Sequence, residues 1–371
     1  MCETKSLPDD FSLQSYLFPL PETLIAQTPP PVRGTSRLLV MRKDPDEFPP
    51  TCIHAHFPDL PRYLPKGALL VANNSRVIQA RLFGKRASGG AVQFLLLTPL
   101  ALLIKEQEEA SELHTVKAEG LLRANARLKP GEVLTIDHDL HITLLAKGDY
   151  GLSTVLLTYR GDLAKIIARI GHIPLPPYIK RQDTEDDAIR YQTVYAKEEK
   201  LGSVAAPTAG LHFTQTMQKN LLEQGFGWTE ITLYVGYGTF TPVRTEDIRK
   251  HPMHSEYIEI SPQSASTIAE AKKAGRPIIA IGTTSVRTLE GVYAAKGAIV
   301  PYQGTTDIFL YPGKAFHVVD GLITNFHLPG SSLLLLVSAL VGRKRLLAIY
   351  QEAIAANYRF FSYGDCMAIL P

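Results

Sequence analysis

The sequence predicts an α/β protein: an open mixed sheet with helices on both faces, interrupted by a small β-barrel insertion domain. Two textures and one junction carry this expectation. From Leu69 to Tyr159, short strand-like runs recur with turn signals between them, the spacing of a barrel of roughly 80 residues. Beyond Asp162 strands alternate with helices, which favours an open sheet covered on both faces. The junction is Ile278–Glu290. There an apolar run ends at Gly282, the hydroxyl residues Thr283, Thr284 and Ser285 follow, and Arg287 and Glu290 continue at helical spacing. The expected organisation is a discontinuous α/β domain, residues 1–74 and 161–371, around a barrel at residues 75–160.

The elements follow in order. Residues 8–65 are proline-rich and irregular. Leu20–Thr28 reads as a short helix start with Pro21 in its first turn, and Arg37–Arg42 as a strand. Ala68–Ala72 is an apolar run closed by the polar turn Asn73-Asn74-Ser75. Val77–Phe83, Ala91–Leu97, His114–Glu119, Glu132–Ile136, His141–Ala146 and Ser153–Tyr159 are the barrel strands. Gly89-Gly90 makes the first hairpin, and Lys129–Glu132 and Lys147–Gly151 make later turns. Glu106–Glu109 reads as a solvated loop.

Asp162–Ile170 is helical. Ile173–Tyr178 is extended, because its prolines cannot continue a helix. Thr214–Gln224 is a helix stopped by Gly225, and Ile231–Val235 a strand. Ser261-Pro262 opens a helix that ends at Gly275. Strand Ile278–Ile281, helix Thr284–Lys296, strand Gly321–Phe326 and helices from Ser331 and Lys344 complete the pattern.

The totals exclude several classes. Of 371 residues, 45% are hydrophobic and 20% charged, as in a globular protein with ample core. The net charge of +3 permits nucleic-acid binding without arguing for it. The first residues carry no signal pattern. The longest apolar run, Leu333–Leu340, falls short of the roughly 18 residues a bilayer span needs. Cys2, Cys52 and Cys366 suit neither a disulfide framework nor a zinc site, so a reducing cytoplasm is expected.

Five clusters carry chemistry-bearing residues in the second half. Ser203–Phe213 is rich in small residues, which let a flat ligand approach the backbone, and contains Gly210 and His212. Val235–Arg244 holds a Gly-x-Gly-Thr turn at Gly236–Thr239, without Rossmann spacing. His251, His254 and Glu256 allow a metal site or a histidine base oriented by a carboxylate, but lack His-Glu-x-x-His spacing. Thr324–Ser332 begins at a strand end, where ligands sit in open α/β sheets. Tyr358–Asp365 interleaves aromatic residues with Arg359.

Each cluster alone has a structural reading: a helix cap, a tight turn, a polar loop or an aromatic core. In this order they resemble the S-adenosylmethionine:tRNA ribosyltransferase-isomerase family of queuosine biosynthesis. The resemblance also runs through Leu20–Gln27, Asn73–Ile78, Ala80–Gly84, Gly171–Ile179 and Tyr191–Tyr195, and so covers nearly the whole chain. Gln79 and Tyr237 depart from the family's pattern.

The resemblance implies transfer and isomerisation of the ribosyl part of S-adenosylmethionine onto the aminomethyl-7-deazaguanine base of tRNA. The products are epoxyqueuosine-tRNA, adenine and methionine. The sulfonium acidifies the ribose C5′ protons, so one base must remove a proton and another must free the attacking amine. Departing adenine needs a proton or hydrogen bond. His212, His254 and His327 are the candidate proton carriers, with Glu256 orienting His254. Gly210, Gly238, Thr239, Thr283, Thr284, Ser285, Asn325, Arg359 and Asp365 are candidates to bind the substrate, and Arg287 to grip the methionine carboxylate. Arg76, Arg81, Lys85, Arg86, Lys180 and Arg181 are candidates to meet tRNA phosphates. S-adenosylmethionine is a co-substrate, no cofactor or metal is expected, and the enzyme is expected to be a cytoplasmic monomer acting on tRNA that carries the modified wobble base. The alternatives are a metal-dependent hydrolase using His251, His254 and Glu256, and an RNA-binding module whose barrel holds an anticodon loop.

Overall fold

The computed structural model describes residues 7–44, 46–104, 113–148, 151–236 and 242–371. The chain first lays down β1 (Arg37–Arg42), β2 (Cys52–His56), β3 (Leu69–Asn73) and the short β4 (Arg76–Val77). Six strands then close into a barrel: β5 (Arg81–Arg86), β6 (Ala91–Leu96), β7 (Leu113–Ala124), β8 (Val133–Asp137), β9 (Leu140–Lys147) and β10 (Leu152–Arg160). After it come β11 (Leu201–Ser203), β12 (Gly227–Leu233), β13 (Glu256–Ile260), β14 (Ile278–Ile281), β15 (Tyr302–Thr306), β16 (Gly321–Asn325) and β17 (Cys366–Leu370). The helices are α1 (Leu100–Ile104), α2 (Leu163–Ile170), α3 (Glu185–Arg190), α4 (Gln215–Glu223), α5 (Pro262–Lys273), α6 (Thr283–Lys296), α7 (Ser332–Val341) and α8 (Arg343–Ala355).

The main sheet has the order β15-β13-β12-β3-β14-β16-β17-β1-β2. Its centre, β12-β3-β14-β16, is parallel. It is a mixed sheet because β17 enters antiparallel to β16 and the margins turn back.

Strand period explains why the core strands read as unbroken apolar runs. Leu69 and Val71 face one core, with Ile278, Ala280, Leu322 and the inner sides of α5 to α8. Leu70, Ala72, Ile279, Ile281 and Ile323 face the other, with Phe57, Phe213, Met217 and Leu221. Both faces of these strands are therefore buried, and no polar alternation survives.

The barrel alternates as a half-buried sheet must. In β7 and β10 every second residue points into an apolar interior. That interior continues past the last strand into α2, whose Leu163, Ile166 and Ile167 pack on it, and into Leu100 and Leu103 of α1. Asp162 caps α2 through its carboxylate.

Several expectations need correcting. The strand expected over Val77–Phe83 is two strands, parted at residues 78–80, because β4 pairs with β11 whereas Arg81, the first residue of β5, bridges His172. The helix start at Leu20–Thr28 is only a 3-10 turn, Glu22–Leu24. Prolines flank it, and Ile25 bridges to Phe360 instead of continuing a helix. Glu256 opens strand β13 and does not lie in a polar loop. The Glu106–Glu109 loop and part of the Lys147–Gly151 turn lie outside the described residues. No described helix is long and apolar enough to cross a membrane.

Candidate active site

Three parallel strands deliver their carboxyl ends to one cleft. Gly282, Thr283 and Thr284 follow β14, Thr324 and Asn325 end β16 with Phe326 and His327 just beyond, and Val235 lies just past β12. Ala206–Ala209 close one side, and Phe361 and Ser362, ahead of β17, close the other. The empty space of the cleft is about 490 Å³, open solvent at its mouth included.

The floor is the start of α6. Gly282 has φ 84°, a left-handed conformation that glycine adopts without a Cβ penalty. This turn aims the first amides of a fourteen-residue helix at the cleft. Thr284 Oγ1 is buried there and has no hydrogen-bond partner among the described residues. Ser285 has the opposite fate, because its hydroxyl donates back to the Ile281 carbonyl at 2.8 Å.

Asn325 is the pivot of the site. Its side-chain nitrogen donates to His212 Nε2 at 3.1 Å and to the Phe361 carbonyl at 3.0 Å. Its Oδ1 is buried without a partner among the described residues. An amide with its donors committed and its acceptor idle is set to receive a donor from a ligand.

The three candidate histidines separate in role. His212 lies behind Asn325: Nδ1 meets Ser36 Oγ at 2.7 Å and Nε2 meets Asn325. Accepting from Asn325 puts its proton on Nδ1. Burial pushes its pKa down to about 4, partly opposed by the charge of Asp365. It is a positioning residue with both nitrogens engaged. His327 lines the cleft itself. Its Nε2 meets Thr324 Oγ1 at 3.0 Å, its backbone N–H donates to Tyr350, and no described residue partners its Nδ1. Burial pushes it down to about 3, so its imidazole is neutral. His254 is exposed and does not line the cleft.

Glu256 and Arg287 are bound to each other. Their side chains form a buried ion pair, and Glu256 Oε1 also accepts from Gly236 N–H at 3.0 Å. Arg287 reaches the His254 carbonyl at 3.4 Å. Burial lowers its pKa to about 10, partly opposed by Asp307. Glu256 therefore anchors the loop beyond β12, and Arg287, absent from the cleft lining, is not placed to grip a methionine carboxylate.

Other nominated residues build walls. A Cβ on Gly210 would fall 2.1 Å from the Tyr195 hydroxyl, so this glycine makes room for Tyr195, not for a ligand. Asp365 accepts from the backbone and guanidinium of Arg37 and from Arg359 N–H. Arg359 donates to the Thr28 carbonyl. Together they brace the segment that presents Phe361 and Ser362. Phe361 has φ 75°, a costly conformation for a phenylalanine and one found at ligand sites. Phe361, Phe326 and the Ala206–Ala209 segment were not nominated from the sequence. The motifs containing them were visible, but apolar members carry no chemical signal. Gly238 and Thr239 lie outside the described residues.

The cations nominated for RNA are mostly committed. Arg86 pairs with Glu132 and Lys180 with Glu22. Arg181 makes a two-point contact with Asp187. Burial alone would raise Asp187, but bonds from Arg181, Thr184 and Tyr363 outweigh it and hold it at about 2. Arg81 donates to the Leu175 carbonyl. Lys85 is exposed and Arg76 half-buried. Among the described residues, the group with metal-ligand proximity is Asp137, His138 and Asp139 on the barrel, where Arg169 already bridges the two carboxylates.

Comparison with known proteins gives one answer throughout. A family model described as "Queuosine biosynthesis protein" matches residues 13–369. The S-adenosylmethionine:tRNA ribosyltransferase-isomerase of Oleidesulfovibrio alaskensis is 55% identical over 100% of this chain and 97% of its own length. That of Nitratidesulfovibrio vulgaris is 56% identical over 97% and 98%. The crystal structure of S-adenosylmethionine tRNA ribosyltransferase from Thermotoga maritima superposes with a TM-score of 0.52 at 30% identity, covering 97% of this chain and 100% of that one. The chain belongs to the queuosine biosynthesis protein family.

Proposed function

We propose that the cleft binds S-adenosylmethionine and performs ribosyl transfer and isomerisation on tRNA. The chain is an S-adenosylmethionine:tRNA ribosyltransferase-isomerase, an enzyme of queuosine biosynthesis. It moves the ribosyl moiety to the aminomethyl-7-deazaguanine base and releases epoxyqueuosine-tRNA, adenine and methionine. The acceptor is the modified wobble base, the enzyme works in the cytoplasm as a monomer, and the sulfonium supplies the activation that a metal or cofactor would otherwise give.

The observation that carries the assignment to this cleft is the pair of idle buried acceptors, Thr284 Oγ1 and Asn325 Oδ1, beside His327. Buried polar atoms without partners cost stability unless a ligand completes them. Phe361 supplies an apolar wall for adenine. The α6 N-terminus takes the methionine carboxylate, a role open because Arg287 is neutralised by Glu256.

Two protons must move. Neutral His327, inside the cleft, removes the C5′ proton. His254 lies outside, two residues before β13, whose first residue Glu256 holds Gly236 next to Val235 of the cleft wall. It is exposed to solvent and takes the proton of the attacking amine. His212 moves no proton and holds the Asn325 amide in register.

Adenine release from S-adenosylmethionine in the presence of tRNA bearing the aminomethyl base tests this. His327→Ala should lower turnover by about 10²–10⁴-fold. His254→Ala should also slow turnover while melting with the parent, because the side chain is exposed. Parental turnover in His327→Ala would remove the cleft assignment.

A further inference from the structure

The barrel exterior over β5, β6 and β7 takes no part in the chemistry above. Register places Phe83 opposite Gln93, and Gln93 opposite Arg123, so the three form one row across the strands. A wide groove follows this row to Arg127, in the turn after β7, and to Lys147 at the end of β9. All three cations are exposed, and none pairs with a described carboxylate. The groove's described lining contains no acidic residue. Phe83 stands 51% exposed beside them.

The groove also leads somewhere. A second groove shares Gln93 and Arg123 with it and runs inward to Pro174–Pro177 and Val204. The N–H of Val204 donates to the carbonyl of Val235 at 2.9 Å. Val235 and Ala206 line the catalytic cleft. One backbone segment, residues 204–206, therefore separates the end of the basic path from the reacting centre.

We propose that this barrel face is the RNA docking surface: Arg123, Arg127 and Lys147 meet phosphates, Phe83 offers a stacking surface to a base, and the path leads the acceptor base toward the cleft. The inference rests on the reading of the chain as a tRNA ribosyltransferase-isomerase. It moves the phosphate contacts away from Arg86, Lys180 and Arg181, whose charges are already satisfied within the protein.

The test is the triple variant R123A/R127A/K147A, measured by filter binding of tRNA over a range of salt and by adenine release. Affinity for tRNA should fall at least about tenfold, and the slope of log affinity against log salt should become shallower by about 2–3. Turnover at saturating tRNA and the KM for S-adenosylmethionine should stay parental. Lys273→Ala, an exposed cation on α5, should change neither affinity nor slope. Unchanged tRNA affinity and salt slope in the triple variant would overturn the docking surface, whatever the activity. A parent that binds tRNA but releases no adenine would instead overturn the functional reading.

Discussion

His212 and His327 share a residue type and a burial, yet chemistry separates them. His212 has both ring nitrogens committed, to Ser36 and Asn325, whereas His327 keeps Nδ1 for the cleft. Both are held neutral by burial, and that has a consequence for stability. Their pKa values fall from the ordinary 6.5 to about 4 and about 3. The unfolded chain binds protons first as the solution acidifies. The stability these groups allow is complete above pH 6.5 and is lost as pH falls toward 4 and then 3. For His212 the loss is at most about 3 kcal/mol. The melting temperature of the parent should therefore decline from pH 6.5 to 4.5. His212→Asn should melt lower at neutral pH but decline less steeply over the same interval. An equally steep decline in the variant would show that His212 does not titrate as described.

At the scale of elements, the loop after β12 is tied to β13 and α6 by one ion pair. Glu256 opens β13, Arg287 lies one turn into α6, and Gly236 ends the described part of the loop. Removing the carboxylate leaves a buried guanidinium without its ion-pair partner, only the field of Asp307 opposing its charge. Glu256→Ala should cost about 3–5 kcal/mol in denaturant unfolding. The double variant Glu256→Leu with Arg287→Met should recover much of it, because it removes both desolvated charges. A single variant as stable as the parent would mean that water replaces the carboxylate and that the pair is not an anchor. The same logic governs the Asn73-Asn74-Ser75 turn. It looks like a surface turn in sequence, but Asn73 bonds to both backbone groups of Leu233, stitching β3 to β12, and Ser75 accepts from Ser203 of β11.

The whole molecule is two packed units, and the boundary between them is a testable matter. The strands of the barrel close on themselves, yet its apolar interior includes Leu163, Ile166 and Ile167 of α2. We expect a fragment of residues 75–172 to unfold cooperatively. A fragment of residues 75–160 should be weaker by several kcal/mol, since each exposed core side chain costs about 1.5–3 kcal/mol. Equal melting of the two fragments, followed by circular dichroism, would place the boundary at residue 160.

The sequence by itself determined the class of fold, the barrel, most core strands and helices, and the family. These rest on local periodicity, turn residues and long ordered motifs, all of which a chain carries in one dimension. Ile278–Glu290 is the clearest case: the apolar run, glycine and hydroxyls read directly as strand, turn and helix. Tertiary structure alone decided who partners whom. Arg287 and Glu256 stand 31 positions apart, and Asn325 and His212 stand 113 apart. Nothing local says that the first pair cancels its charge or that the second leaves one acceptor idle. Strand β17 and residue Phe361 were missed for the same reason, since an apolar segment announces burial but not its neighbours. The spare hydrogen-bonding capacity of a site is what remains after all long-range partners are assigned, and that remainder exists only in three dimensions.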